Sequence, residues 1–279
     1  MDQETVEDIL NDSLTFFGEE EHDREDQHCF SYGPLTLTTA RKANTLLADH
    51  IFSPSLLLAE RIERNIFPVK GRTMIELGAG AAVPSFVASI LPEPPSLVVV
   101  TDYPDAGILG NLEQNLERNR GSINSDCKVY CDGYEWGQDA GLLLRRVSEH
   151  TPASAAGYDI VVLSDLLHFD RAHSVLVASL TALLAKNTSS CTYVGAGIYT
   201  RPEHCTHFLR LSEAAGIVWV DGGSGVGDDV GREEDTVWRG TMAVKGIDVA
   251  SLGVRKGMCR WWIGKWAETH LPATADGQL

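Results

Sequence analysis

Thr73-Met74-Ile75-Glu76-Leu77-Gly78-Ala79-Gly80-Ala81-Ala82-Val83-Pro84-Ser85 reads as a buried strand, a glycine turn and the opening of a helix. The apolar run ends at Leu77. Gly78 and Gly80 can take positive φ and, lacking Cβ, let a ligand lie against the main chain. Pro84 suits a first helical turn, where its missing N–H would have had no partner. A lone Gly-x-Gly also serves plain helix–strand packing, so the surrounding chain has to decide between the two.

The next apolar run, Leu97-Val98-Val99-Val100-Thr101, ends in Asp102, 26 residues beyond Glu76. In a doubly wound sheet, an acid at the tip of the second strand can accept hydrogen bonds from both hydroxyls of a ribose. The sixth position counted from Gly78 is Val83 rather than glycine, so the phosphate cradle of nicotinamide enzymes is incomplete. The expected ligand is a nucleoside without a pyrophosphate, which points to S-adenosylmethionine.

Further strands follow at intervals that suit an α/β sheet. Lys128–Asp132 leads into Gly133-Tyr134-Glu135-Trp136-Gly137, where an aromatic beside small residues can stack on a purine. Trp136 could equally fill core. Tyr158–Asp165 is nearly all apolar, as a central parallel strand buried on both faces should be. Ser164 and Asp165 stand at its carboxyl end, the edge where open α/β sheets bind ligands. Asp165 is a candidate for the methionine amino group or the substrate. His168 and His173 follow, and either could accept a proton or shape the pocket, or be a surface residue. Tyr199, Thr200 and Arg201, after the run Cys191–Ile198, are candidates for the substrate rim by position alone.

Helical periodicity covers Asn44–Asn65 with a break at Ser53-Pro54, a segment placed to roof the cofactor, and also Asp105–Arg120, Arg171–Ala185 and Arg201–Ala215. Strands are expected at Ile217–Val220, Thr236–Val244 and Cys259–Trp266, around an exposed acidic and glycine-rich loop at Asp221–Glu234. The resulting expectation is an α/β fold with about seven strands, mostly parallel, and helices on both faces.

Charge and composition narrow the function classes. The net charge is −16, and residues 1–28 hold eleven acids against one base, Arg24, so they carry −10 of it. The expected organisation is an acidic, disordered tail over 1–33, one domain over 34–270 and a short tail over 271–279. Such acidity argues against nucleic-acid binding, which needs clustered Lys and Arg. No apolar run approaches a membrane span, and a cytoplasmic protein, a monomer, is the expectation. The six cysteines include no Cys-x-x-Cys and are expected as free thiols. His204-Cys205-Thr206-His207 has ligand-like residues but no second pair at a metal spacing, so no metal site is expected.

Glu76-Leu77-Gly78-Ala79-Gly80, Thr101-Asp102-Tyr103-Pro104, Asn111 to Asn119, Gly133-Tyr134-Glu135-Trp136-Gly137 and Leu163-Ser164-Asp165-Leu166 together resemble the class I, seven-strand, Rossmann-like S-adenosylmethionine-dependent methyltransferases. Within these the chain is similar to the methyltransferase 16 group of protein lysine methyltransferases. It resembles most the fungal branch acting on the N-terminus and lysines of elongation factor 1A, once described as nicotinamide N-methyltransferases. The resemblance covers roughly residues 40–270. It implies that Glu76, Gly78 and Gly80 line the methionine end, Asp102 holds the ribose, Trp136 neighbours adenine, and Ser164 with Asp165 closes the site. Ala79 and Tyr103 complete the candidate cofactor set, and Asp165, His168 and His173 are the candidate catalytic residues. The chain departs from the group at His168, where many members carry tyrosine, and in lacking a tryptophan near Ser53-Pro54. The substrate implied is a protein amine, with a translation elongation factor as partner, or else a small-molecule amine of the nicotinamide type; the third reading is a non-catalytic module that binds the cofactor, against which the glycines and Asp102 speak. An α-amine is the easier nucleophile: near pH 7.4 roughly a quarter of α-amines are neutral, against about one lysine in a thousand.

Overall fold

Alternation along the central strands sends their apolar side chains into two cores, one on each face of a single sheet. The computed structural model describes residues 29–40, 48, 50–151, 156–224 and 236–272. Its sheet contains β3 (Thr73–Leu77), β4 (Leu97–Asp102), β5 (Lys128–Gly133), β6 (Ile160–Ser164), β7 (Cys191–Gly197), β8 (Ile217–Ser224) and β9 (Cys259–Trp266). A hairpin of β1 (Cys29–Tyr32) and β2 (Leu35–Thr38) precedes them. The sheet order is β5-β4-β3-β6-β7-β9-β8. Strands β3 to β7 run parallel, and β9 is antiparallel to both β7 and β8.

Met74, Val98, Val100, Ile160 and Val162 face one core, which is covered by α1 (Ser53–Glu63), α2 (Val83–Ser89) and α3 (Ala106–Asn119). Ile75, Leu77, Val99, Val161 and Leu163 face the other, covered by α4 (Gly141–His150), α5 (His173–Leu183) and α6 (Pro202–Ala214). One further helix, α7 (Val249–Gly257), precedes β9. The chain moves outward from β3 through β4 to β5 and then resumes on the other side with β6. This reversal opens a crevice above the carboxyl ends of β3 and β6.

The hairpin is bound to the domain by side chains acting as a strand. Asn115 accepts the Thr38 N–H and donates to the Thr38 carbonyl, both at 2.8 Å. Asn119 does the same for Thr36, also at 2.8 Å in each direction, and Asn111 donates to the Thr38 carbonyl at 2.7 Å. Spacing of four along a helix keeps these amides on one face, matched to the two-residue step of β2. The other edge of the hairpin joins the C-terminal region through Gly33 N–H to the Ala243 carbonyl at 2.8 Å and a bridge between Tyr32 and Val244.

Two expectations change, and one helix is added. The hairpin begins at Cys29, so residues 29–33 belong to the fold, with Tyr32 fully buried, rather than to the tail. The expected break at Ser53-Pro54 is where α1 starts, after the non-helical residues 50–52, with the proline in its first turn. Thr236–Val244 forms no strand. Glu60 accepts the Arg239 N–H at 3.1 Å and Glu63 those of Thr241 and Met242 at 2.6 and 2.8 Å, so carboxylates of α1 take the place of ladder partners. Helix α7 was not foreseen, although Asp248 caps it by accepting the Ser251 N–H at 2.9 Å. The expected helix start over 44–47, the tail 1–28, most of the acidic loop from 225, and the last residues from 273 lie outside the described residues.

One amide and one carboxyl group at the heart of this fold give measurable handles. Asn115→Ala would strip the N–H of buried Thr38 of its partner and leave its carbonyl with Asn111 alone; we expect a loss of about 1–3 kcal/mol in denaturant unfolding. Glu76, on β3, is fully buried and accepts the Ser85 N–H in the first turn of α2 at 3.2 Å. Burial raises its carboxyl from the ordinary 4.5 to about 8, with Asp102 adding to the shift and the Ser85 bonds opposing it. Its folded-state value thus lies above the unfolded one, so its contribution to stability is full below about pH 4.5 and is lost as pH rises to about 8. Glu76→Gln should remove that dependence: the stability difference, variant minus wild type, should grow between pH 5 and 8 in urea titrations.

Candidate active site

The loop after β3 takes its shape from three left-handed residues, Gly78, Gly80 and Ala82, at φ +58, +55 and +55. Asp102 at the tip of β4 holds it in place. One carboxylate oxygen accepts the Gly80 N–H at 2.7 Å and the other accepts the Tyr103 N–H at 2.7 Å, while Ala79 N–H donates to the Thr101 carbonyl at 2.9 Å. A Cβ on Gly78 would lie 2.8 Å from Leu166 and 3.0 Å from Trp136, whereas one on Gly80 would meet nothing within 4 Å. Gly78 is bare because the wall packs against it; Gly80 is bare toward open space.

That open space is a cleft of about 280 Å³ above the carboxyl ends of β3, β4 and β6. Gly78, Ala79, Gly80, Asp102, Tyr103, Trp136 and Ser164 all lie on its wall. Burial raises the Asp102 carboxyl while its two N–H partners oppose the shift; each oxygen retains accepting capacity for a further donor. The Ser164 hydroxyl is buried without a partner. Trp136 meets Phe169 edge-on at 5.8 Å. A bare peptide, a half-committed carboxylate and an unpartnered hydroxyl are what a nucleoside with a polar tail would use, so these residues fit the expected cofactor.

Asp165 and His168 also line the cleft. Asp165 is itself left-handed at φ +62, a conformation that costs a non-glycine residue energy and recurs at functional sites. Its carboxylate accepts the Gly197 N–H at 3.1 Å and the Tyr199 hydroxyl. Burial raises it to about 7, against those two donors. His168 is 8% exposed, and neither ring nitrogen has a hydrogen-bond partner. Burial lowers it to about 4, the Asp165 backbone opposing and His173 and His204 contributing, so its ring is neutral at physiological pH.

Two of the expected site residues lie elsewhere. Glu76 is beneath the loop and off the cleft wall, because its carboxylate turns to the first turn of α2. His173 is fully buried between α5 and α6, bonded to the Leu167 carbonyl at 2.9 Å and to His207 at 3.0 Å; it braces the loop carrying His168 and does not reach the cleft. Of the rim candidates, Thr200 is buried and Arg201 is the exposed residue just before α6, and neither is on the wall. The wall also contains His50, Phe52, Leu166 and Phe169, which the sequence reading had not singled out. Phe52 is the N-cap of α1, and its place beside Ser53-Pro54 was the available signal.

The charged residues on the wall are Asp102, Glu135 and Asp165; no lysine or arginine lines it among the described residues. Those residues also hold no cluster suited to a metal ion and no helix long and apolar enough to cross a membrane.

Known proteins resemble the chain in sequence and in fold. Protein N-terminal and lysine N-methyltransferase EFM7 of Gibberella zeae is 32% identical over 165 residues, 58% of this chain and 61% of that protein. The EFM7 of Eremothecium gossypii is 36% identical over 48% of this chain and 50% of its own length, and that of Emericella nidulans 25% identical over 75% and 82%. The chain thus spans only about half to three-fifths of the first two relatives. A candidate methyltransferase crystallised with SAH shares the fold at a TM-score of 0.50, with 10% identity, 88% of this chain and 57% of that chain covered. The lysine methyltransferase family matches residues 35–214, well over half of the chain, and the chain belongs to that family.

Proposed function

We propose that the protein is an S-adenosylmethionine-dependent N-methyltransferase whose acceptor is a protein amine, N-terminal or lysine, with a translation elongation factor as its partner and the cytoplasm as its compartment. The observation that carries this reading is the charge of the cleft: three carboxylates, a neutral imidazole and no lysine or arginine among its described lining residues. Such a wall attracts cations and repels phosphates and carboxylates. The names of the EFM7 relatives, which give both N-terminal and lysine methylation, support the same acceptor class.

When bound, the cofactor supplies a methyl group on a sulfonium, open to in-line displacement. The chain's own task is alignment and deprotonation. Asp165 offers an oriented oxygen to the incoming ammonium. His168, neutral and with both nitrogens unpartnered, can accept the proton the amine must lose. Phe52, Phe169 and Trp136 keep water from the reacting nitrogen.

Two measurements test the reading. With radiolabelled cofactor in cell lysate, we expect one labelled protein band; label only in 1-methylnicotinamide when nicotinamide is supplied would replace the protein acceptor with a small molecule. In calorimetry with S-adenosylhomocysteine, Asp102→Ala should lose about 1–3 kcal/mol of affinity through its charge-assisted hydrogen bonds. Unchanged affinity would remove Asp102 from the cofactor site.

A further inference from the structure

Tyr199 is off the cleft wall, yet it controls the carboxylate that is on it. Its hydroxyl donates to one oxygen of Asp165, and the Gly197 N–H donates to the other at 3.1 Å. Its ring lies directly against Gly197, where a Cβ would collide with it, so the glycine makes room for the aromatic. The turn that carries it is fixed from β9 and its approach: Ile198 N–H donates to the Met258 carbonyl at 2.9 Å, and Arg260 donates to the Thr200 carbonyl at 2.9 Å. On its open side the ring faces Phe52 of the cleft wall, with centroids 6.2 Å apart.

We infer that Tyr199 is a positioning residue for amine methylation: with Gly197 it aims the Asp165 carboxylate at the acceptor nitrogen and keeps it ionised. The inference rests on the proposed function and adds the residue through which that site is tuned. A buried carboxylate left without donors stays protonated, and a neutral acid neither attracts an ammonium nor orients it. The hydroxyl opposes this by bonding the charged form. The other groups facing the pair are the Cys205 thiol of α6 and the Cys259 thiol of β9, both pushed up by burial and hence neutral, and the Arg255 and Arg260 cations of α7 and β9. His168, neutral, faces it from its own loop. Of these, Tyr199 is the side chain the structure bonds to the Asp165 carboxylate.

Tyr199→Phe keeps the ring and deletes the donor, so the fold should hold, as a melting curve would verify. Aspartate labelled with 13C at its side-chain carboxyl reports the Asp165 titration directly, with Asp165→Asn assigning the signal. In the variant the midpoint should rise by about one pH unit, a tenfold smaller ionised fraction on the acid side. The acid limb of kcat/KM should rise with it, while the affinity for S-adenosylhomocysteine stays as in the wild type. An unmoved midpoint overturns the inference even if the wild-type enzyme methylates a protein. A moved midpoint with superimposable kcat/KM profiles overturns the role in catalysis. A wild-type protein that binds cofactor and methylates no amine overturns the proposed function itself, whatever the titration shows.

Discussion

The hydrogen bond from Gly80 N–H to the Asp102 carboxylate, 2.7 Å long, joins the tip of one strand to the loop after its neighbour, and the cleft exists because of it. The loop needs three residues at positive φ, which alone would leave it free to sample many shapes. Asp102 and the Thr101 carbonyl each take one of its N–H groups, so the peptide between Gly78 and Ala82 is presented in one conformation. Preorganisation of this kind lowers the ordering cost when a ligand arrives.

Three buried acids of the central strands have separate tasks because their surroundings differ. Asp102 accepts two backbone N–H groups and keeps capacity for a ligand. Glu76 accepts one and is raised by burial to about 8, so it stays protonated at neutral pH and acts as a cap for α2. Asp165, raised to about 7, sits where a modest change in donors decides its charge. Position on a strand end therefore does not assign a role; the depth of burial and the identity of the donors do.

The pattern of strands, the glycine loop and the acid at 102 were legible because each is local: apolar alternation, residues that tolerate positive φ, a carboxylate at a strand tip. The missing pieces are those whose partners are distant. Nothing near Thr36-Leu37-Thr38 announces that Asn115 and Asn119, some eighty residues on, will supply its ladder. Thr236–Val244 has the composition of a strand, but its N–H groups are taken by Glu60 and Glu63 on α1. Glu76 stands on the strand a ligand residue would use, and only the orientation of its carboxyl toward Ser85 takes it off the cleft wall. Tyr199 and Asp165 meet because β6 and β7 are parallel neighbours, a fact with no trace at either position.

The family match ends at residue 214, yet part of the cleft is held from beyond it. Arg255 donates to the Ile51 carbonyl at 2.9 Å and to the Ser53 hydroxyl at 3.1 Å, the two residues on either side of Phe52 on the cleft wall. One helical step on, the buried Lys256 ammonium pairs with Glu60 at 3.0 Å. A buried pair of this kind adds little net stability but makes any other arrangement costly. The effect here is to fix α7 against α1, and with it the residues that precede α1. Helix α7 and β9, which also carries Arg260 under the Tyr199 turn, therefore support the cleft from two places, beside Phe52 and beneath the residue bonded to Asp165.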